Sequence, residues 1–317
     1  KGFMEGIQNY LKKFENLKEG IAETKKSREN IPPPHPFDLT SLQREAYNLY
    51  KINPSQTLAI AQKLYLEGLI SYPRTSSQKI PEAMAPKKIL KNLEKNFPEA
   101  RQETRQKPIE GKKSDPAHPS IYPTGEVANL SGQEQKLYNL IAKRFIAAFS
   151  SDAIIDQKRI NLISNNLRFT TSGIKVVEKG WTSFYPTRME ETNLPDINGT
   201  VKIDKIDIEE KETQPPKRYT PASLVSTLEK RNLGTKTTRS IIVDILFDRG
   251  YLEGTSIKAT PLGMKLIDSL QKYSSIIIDE NLTRQIEEEI EKLQENEGNL
   301  SEKEKEIIEK AKKIIND

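Results

Sequence analysis

The stretch "TLAIAQKLYLEGLISYPRTSSQ", residues 57–78, sets the frame for the rest of the chain. Leu58, Ala61, Leu64 and Tyr65 recur at helical spacing, which predicts an amphipathic helix with these residues on one side. Gly68 is placed to end it, because glycine takes up the left-handed backbone of a helix C-terminus at no steric cost. Leu69 to Tyr72 then reads as a short strand leaving the helix, and Pro73 limits the backbone that follows. Upstream, Thr40 and Gln43 in "TSLQ" make a capping-box pattern at the head of another helix, striped by Leu42, Ala46 and Leu49. "NPS" (53–55) breaks that helix, and Ser55 is available to cap the next. Helix, turn, helix, strand is the outline of a helix-turn-helix or winged module.

The same outline returns near the other end. Thr220 followed by Pro221 combines a cap with a first-turn proline. Leu224, Val225 and Leu228 are expected to face inward. After "NLGTKTT", a second helix carries Ile241, Ile242, Ile245 and Leu246 and stops at Gly250. "YLEGTSIKAT" (251–260) reads as a hairpin-like wing, and Thr260 with Pro261 opens a further helix. Charged helices are expected at 282–295 and at 301–315, the latter opened by Ser301 and Glu304.

Between these outlines, residues 79–116 are lysine-rich and punctuated by prolines, with one helix around Pro86–Phe97. "LSGQEQKLYNLIAKRFIAAF" (130–149) is an amphipathic helix, apolar at Leu137, Leu140, Ile141, Phe145 and Ala148. From 153 to 210 short alternating runs such as "RINLIS", "LRFTTSGIKVV" and "VKIDKIDI" predict strands of an antiparallel sheet. "IPPPHPF" (31–37) and "QPPKRYT" (214–220) mark boundaries, since consecutive prolines remove donors and exclude helix. Residues 1–31 are Lys/Glu-rich and partly amphipathic, without a clear core of their own.

With 317 residues, the chain is long enough for two or three domains. It has no cysteine, which excludes disulfides, zinc fingers and thiol catalysis, and only His35 and His118 supply imidazoles. A transition-metal site built within the chain is not expected. No apolar run approaches the roughly 20 residues that cross a bilayer, and a cytoplasmic location is the expectation. The chain starts at a lysine with no signal pattern, so it is read as an internal piece of something longer. The net charge is +5, with acids concentrated after residue 278 and bases in residues 87–113 and 216–250. Two separated basic regions suggest an extended polyanion as partner.

Tyr72 stands out chemically. A phenol with an ordinary pKa near 10 is a poor nucleophile at neutral pH. It needs a cation or a hydrogen-bond donor to favour phenolate and to stabilise a pentacovalent phosphorane. Arg74, two residues on, emerges on the same face of an extended strand and grips phosphate bidentately. Thr75, Ser76 and Ser77 add hydroxyl donors. "AHPSIYPTGE" (117–126) brings one of the two histidines, followed by Tyr122, Pro123 and Thr124.

Together these residues resemble the type IA DNA topoisomerases. "PFDLTSLQREAY…TLAIAQKLYLEGLISYPRTSSQ" resembles the family's active-site region, where helix, helix and strand deliver a tyrosine followed by x-Arg-Thr. "AHPSIYPTGE" is similar to its histidine motif, commonly His-Glu-Ala-Ile-Arg-Pro-Thr. "PPKRYTPASLVSTLEKRNLGTKTTRSIIVDILFDRGYL" is similar to its C-terminal core motif. The likeness runs from about Pro32 to Leu293, and the forms SYPRTSSQ, HPSIYPTG and LGTKTTR look most like the archaeal branch.

The resemblance implies a multidomain α+β fold: the family's toroidal core, with winged-helix-like helix-turn-helix domains and a β-rich arch. It assigns 36–152 to the nucleophile domain, 1–35 and 153–214 to the arch, and 215–317 to a basal helical domain. Tyr72 would attack single-stranded DNA and leave a 5′-phosphotyrosine, Arg74 would hold the scissile phosphate, and His118 would hydrogen-bond near it. Thr75, Ser76, Tyr122 and Thr124 are expected at the DNA, with Arg218, Thr235, Lys236, Thr238 and Arg239 along the bound strand's backbone. Mg²⁺ would be held by a Toprim domain, which in the family precedes this region and is not found here. The carboxylates of "IDKIDIEE" (203–210) read as the solvent face of a strand, not as that domain's metal ligands.

Two departures from the family pattern bear on the site. Many members carry Asp where this chain has Ser76, so a carboxylate partner for His118 is expected to be missing and His118 to be less readily protonated. Many also carry Arg where this chain has Tyr122, which removes a phosphate clamp. The alternatives are a non-catalytic DNA-binding module and a scaffold docking a separate Toprim-bearing subunit. A tyrosine recombinase fits poorly, because its Arg and His groups precede the tyrosine.

Overall fold

The computed structural model describes residues 10–14, 17–102, 104–115, 117–126, 128–295, 305 and 308–309. The predicted helix at 301–315 therefore falls almost wholly outside the described residues. The chain divides into two compact units, residues 1–34, 101–109 and 146–215 in the first, and residues 35–100, 110–145 and 216–317 in the second.

The first unit is a sheet of four strands, β1 (Glu19–Ile31), β2 (Ala153–Ser164), β3 (Leu167–Glu178) and β4 (Gly199–Lys202), in the order β3-β2-β1-β4. All pairings are antiparallel. β2 turns into β3 through Asn165 and Asn166, with φ of 48° and 65°. Two successive left-handed residues match the right-handed twist of a tight hairpin, and asparagine tolerates that conformation better than most residues. Ala22, Ala153, Ile155 and Ile160 are buried along the sheet, and Trp181 and Tyr185 are buried nearby. The Trp181 indole donates to the Ile31 carbonyl at 3.0 Å. Lys26 and Lys158 lie directly opposite one another, and Asp196 pairs with both ammonium groups. That acid neutralises a like-charge cross-strand pair that would otherwise be unfavourable.

β1 corrects the reading of residues 1–31, since it is an inner strand of 13 residues. Most of its side chains are exposed, so charged residues occupy both faces and no apolar alternation marks it in the sequence. The strand expected through "VKIDKIDI" is likewise only partly formed. β4 ends at Lys202, and residues 203–220 run without regular structure.

The second unit is helical: α1 (Leu39–Tyr50), α2 (Pro54–Leu66), α3 (Pro86–Leu93), α4 (Gly132–Ala148, shared at its end with the first unit), α5 (Pro221–Lys230), α6 (Arg239–Asp248), α7 (Pro261–Tyr273) and α8 (Glu280–Glu295). A short hairpin, β5 (Leu252–Glu253) with β6 (Lys258–Ala259), separates α6 from α7. Phe37, Leu39, Leu42, Ile52, Leu64, Ile70, Leu90, Ile121, Leu137, Leu140 and Phe145 are fully buried in this unit. Each contributes about 1.5–3 kcal/mol of burial.

Helix starts show where local chemistry was legible. Thr220 and Thr260 cap α5 and α7 as expected, their hydroxyls accepting from the Ser223 and Gly263 amides. α1 differs. Its N-cap is Asp38, whose carboxylate accepts from the Ser41 amide at 2.7 Å while Ser41 Oγ accepts from the Asp38 amide. Thr40 and Gln43 of the "TSLQ" pattern are buried inside the helix, and Gln43 donates to the Pro54 carbonyl. A carboxylate at the positive end of a helix outcompetes a hydroxyl two residues further in. At α2 the cap position is Asn53, ahead of Pro54, and Ser55 lies within the helix. Of the residues placed inward on α5 and α6, Val225 is buried and Leu224, Leu228 and Leu246 are half-buried. Ile241, Ile242 and Ile245 are exposed, and Val243 is the buried residue of α6.

Candidate active site

Three segments of the second unit cross to build the site. Residues 118–124 lie against residues 68–72: the Ser71 amide donates to the Tyr122 carbonyl at 2.9 Å, and the Thr124 amide donates to the Leu69 carbonyl at 2.9 Å. On another side the Ile121 amide donates to the Phe37 carbonyl at 2.7 Å, and the Leu39 amide donates to the Thr75 carbonyl at 3.0 Å. Gly68 ends α2 with φ +73° and turns the chain into this crossing. The strand expected from Leu69 to Tyr72 is reduced to one bridge, Ile70 with Pro123. Bonds to several neighbours replace a regular ladder.

The crossing places the Tyr72 ring 4.6 Å from the His118 ring, centroid to centroid. The other side of Tyr72 meets Tyr65 edge-on at 5.3 Å. Arg74 donates through Nε to Gln62 Oε1 at 3.4 Å. Gln62 and Tyr65 are spaced i, i+3 on α2, so they are neighbours on one helix face. Tyr72 and Arg74 thus share a neighbourhood through α2, and not through the extended strand inferred from spacing; the backbone bends at Pro73 and Arg74. Tyr72, Arg74 and His118 are each half-buried. The Arg74 guanidinium forms no ion pair among the described residues, which leaves its charge available to an anion.

Asp115 was not singled out from sequence, and it organises the loop that carries His118. Its Oδ1 accepts from the Ala117 amide at 3.0 Å and the His118 amide at 3.3 Å. Its Oδ2 accepts from the Ser76 amide and Ser76 Oγ, each at 3.3 Å, and pairs with the Lys236 ammonium. Burial alone would raise this carboxyl's pKa. The Lys236 hydrogen bond, the amides of Ala117 and Ser76, and the Lys236 charge outweigh burial and hold it at about 2. A carboxylate therefore does stand beside Ser76, three residues before the histidine, bonded to the histidine's amide.

Asp38 is a second hub. Its Oδ2 accepts from Gln78 Nε2 at 2.7 Å and from Lys113 Nζ at 3.3 Å. Lys113 also bonds Glu229 of α5 at 2.9 Å.

Several expected DNA contacts are occupied by the fold. Thr75 is 0% exposed; its hydroxyl accepts from the Ser77 amide at 3.0 Å and reaches the His118 carbonyl at 3.4 Å. Tyr122 is 7% exposed and its ring lies 6.2 Å from Phe145, so base stacking on it is not available; burial pushes its phenol up. The Thr124 hydroxyl donates to the Gly68 and Leu69 carbonyls. Arg239 donates to the Leu233 carbonyl at 3.0 Å, and its burial lowers its pKa. Arg218, Thr235 and Thr238 are exposed, as is Tyr219. Among the described residues no three His, Asp or Glu side chains are grouped to hold a metal ion. No described helix is long and apolar enough to cross a membrane.

The site thus brings a tyrosine ring against a tilted histidine ring, with Arg74 held nearby by Gln62 of α2. A family model described as DNA topoisomerase matches residues 4–304. The chain belongs to the type IA DNA topoisomerase family. It is 47% identical to DNA topoisomerase 1 of Methanothermobacter thermautotrophicus over 82% of this chain and 38% of that protein. It is 43% identical to DNA topoisomerase 1 of Pyrococcus horikoshii over 87% of this chain and 42% of that protein. The full-length topoisomerase I structure from Thermotoga maritima aligns with a TM-score of 0.79 at 26% identity, covering 96% of this chain and 54% of that one. The chain spans about two fifths of the length of these curated relatives.

Proposed function

We propose that this chain carries the nucleophile of an ATP-independent type IA topoisomerase and acts on single-stranded or underwound DNA. In the reaction, Tyr72 Oη bonds to phosphorus as the P–O3′ bond breaks. The phenol's proton ends on the released 3′-hydroxyl, and the chain holds a 5′-phosphotyrosine. Attack by the 3′-hydroxyl reverses each step, so the phosphodiester is restored without an external energy source. Arg74 grips the non-bridging oxygens and offsets the charge that builds on them. His118, against the Tyr72 ring, hydrogen-bonds near the same phosphate. Arg218, Thr235 and Thr238, being exposed, contact the strand's backbone, and strand passage between cleavage and resealing relaxes negative supercoils.

The observation that carries this reading is the Tyr72–His118 ring contact at 4.6 Å, with Arg74 nearby, in no ion pair among the described residues. The wider assignment follows the family: a toroidal core with winged-helix-like domains, at the boundaries given above, acting in the nucleoid. A Toprim domain, in the same or another chain, would hold the Mg²⁺ and supply charge neutralisation at the phosphate. Without it this chain is proposed to bind single strands and to cleave them poorly.

The test is denaturing electrophoresis of end-labelled single-stranded DNA incubated with the chain, alone and with the Toprim-bearing part of an archaeal relative. A covalent adduct that maps to Tyr72 and vanishes in Tyr72→Phe is expected. An adduct on another residue, or none under any condition, refutes the assignment. Full plasmid relaxation by the chain alone with Mg²⁺ refutes the requirement for Toprim.

A further inference from the structure

One carboxylate spans the two segments on which the proposed chemistry depends. Asp115 Oδ2 holds the Ser76 end of the Tyr72–Arg74–Ser76 segment, and Oδ1 holds the turn at Ala117 and His118. At the Tyr72 end the Ser71 hydroxyl joins the histidine loop, donating to the Ser120 carbonyl at 2.8 Å and accepting from the Tyr122 amide at 3.0 Å. Beyond Arg74 the other side-chain link, from the Thr75 hydroxyl to the His118 carbonyl, is long at 3.4 Å. The Asp115 side chain is only 5% exposed, and Lys236 from the turn before α6 closes its remaining side. A buried carboxylate is costly unless every oxygen is partnered, and here both oxygens are. The family pattern described above often has Asp where this chain has Ser76. In this chain the acid stands on the histidine segment, and the Ser76 hydroxyl faces it from the tyrosine segment.

We infer that Asp115 is a positioning residue for DNA cleavage: it fixes the tyrosine–arginine segment against the histidine loop, and the same acid placed at position 76 would do this equally. The inference rests on the reaction proposed above. It has two parts, that the link governs cleavage and not binding, and that the acid's location is exchangeable across the Ser76–Asp115 contact.

The test compares Asp115→Asn with the double variant Ser76→Asp/Asp115→Asn, in the mixture that yields the Tyr72 adduct. Adduct formation is expected to slow at least about tenfold in Asp115→Asn, since a misplacement of about 1 Å costs on the order of a hundredfold. Affinity for a fluorescent oligonucleotide should stay within about threefold, and the double variant should recover to within about threefold of the unaltered rate. A merely structural role predicts no such recovery. The inference is overturned if Asp115→Asn cleaves normally, or if the double variant folds to the same helical signal and stays slow. If the unaltered chain forms no adduct at all, the proposed reaction fails separately. Amide exchange at Ala117 and His118 then decides the positioning. It must speed up at least about tenfold in Asp115→Asn and slow again in the double variant, and unchanged rates overturn the inference.

Discussion

Asp115→Asn offers a quantitative test of the charge at the centre of the site. The Asp115 carboxyl titrates at about 2, against an ordinary value of 3.8. Its pKa is depressed on folding, so its stabilisation is present above pH 3.8 and is lost as pH falls through about 2. The gap corresponds to about 2–3 kcal/mol at neutral pH, falls to roughly half of that near pH 3 and nearly vanishes near pH 2. Solvent screening takes little from this figure, because the side chain is only 5% exposed. In the variant Lys236, at 36% side-chain exposure, can regain water, so the unpaired ammonium adds little. The assay is urea unfolding followed by the far-ultraviolet helical signal, which reports on the second unit because the first is largely a sheet. Asp115→Asn should unfold at lower urea than the unaltered chain at pH 7, and the two should converge as pH falls towards 2. A gap that stays constant from pH 7 to pH 3 would place the loss in amide packing and refute the electrostatic reasoning.

Tyr72→Phe keeps the ring contacts with Tyr65 and His118, so urea stability should change by less than about 0.5 kcal/mol while adduct formation is abolished. Asp38→Ala removes the cap of α1 and leaves the buried Gln78 amide without its acceptor, while Lys113 keeps Glu229, and should cost about 2–4 kcal/mol by the same measurement. Gly111→Ala would place a methyl 1.9 Å from the buried Gln78 side chain; a loss of about 1–3 kcal/mol is expected, read as a lowered melting temperature. Single-strand affinity should fall steeply between low and physiological salt, with little dependence on sequence, as phosphate contacts require. A salt-insensitive complex in a fluorescence titration would contradict that picture.

Local signals that depend on one turn of chain were legible without coordinates. Thr220–Pro221 and Thr260–Pro261 announced their helices, Gly68 and Gly250 their ends, and "LEGTSIKA" its hairpin, because each encodes its own backbone geometry. The order Tyr-Pro-Arg, then the histidine loop, identified the family for a similar reason, since reactive side chains tolerate few substitutes. β1 was illegible because its sheet is solvated on most of its surface, and periodicity records burial. The cap of α1 was misplaced by two residues because Asp38 and Thr40 both satisfy the local rule, and only Asp38 also meets Gln78 and Lys113.

Sequence by itself determined which groups this protein owns: a phenol, a guanidinium and an imidazole in a fixed order, no thiol, and the family those groups define. Tertiary structure decided which of them are free. Tyr122, Thr75 and Lys236 carry suitable chemistry for DNA, yet the fold spends them on a core, a turn and an ion pair. Asp115 carries nothing recognisable as a motif, yet it joins the two segments that matter. A residue's chemistry is set by its own atoms, whereas its availability is set by neighbours that chain folding brings from far along the sequence.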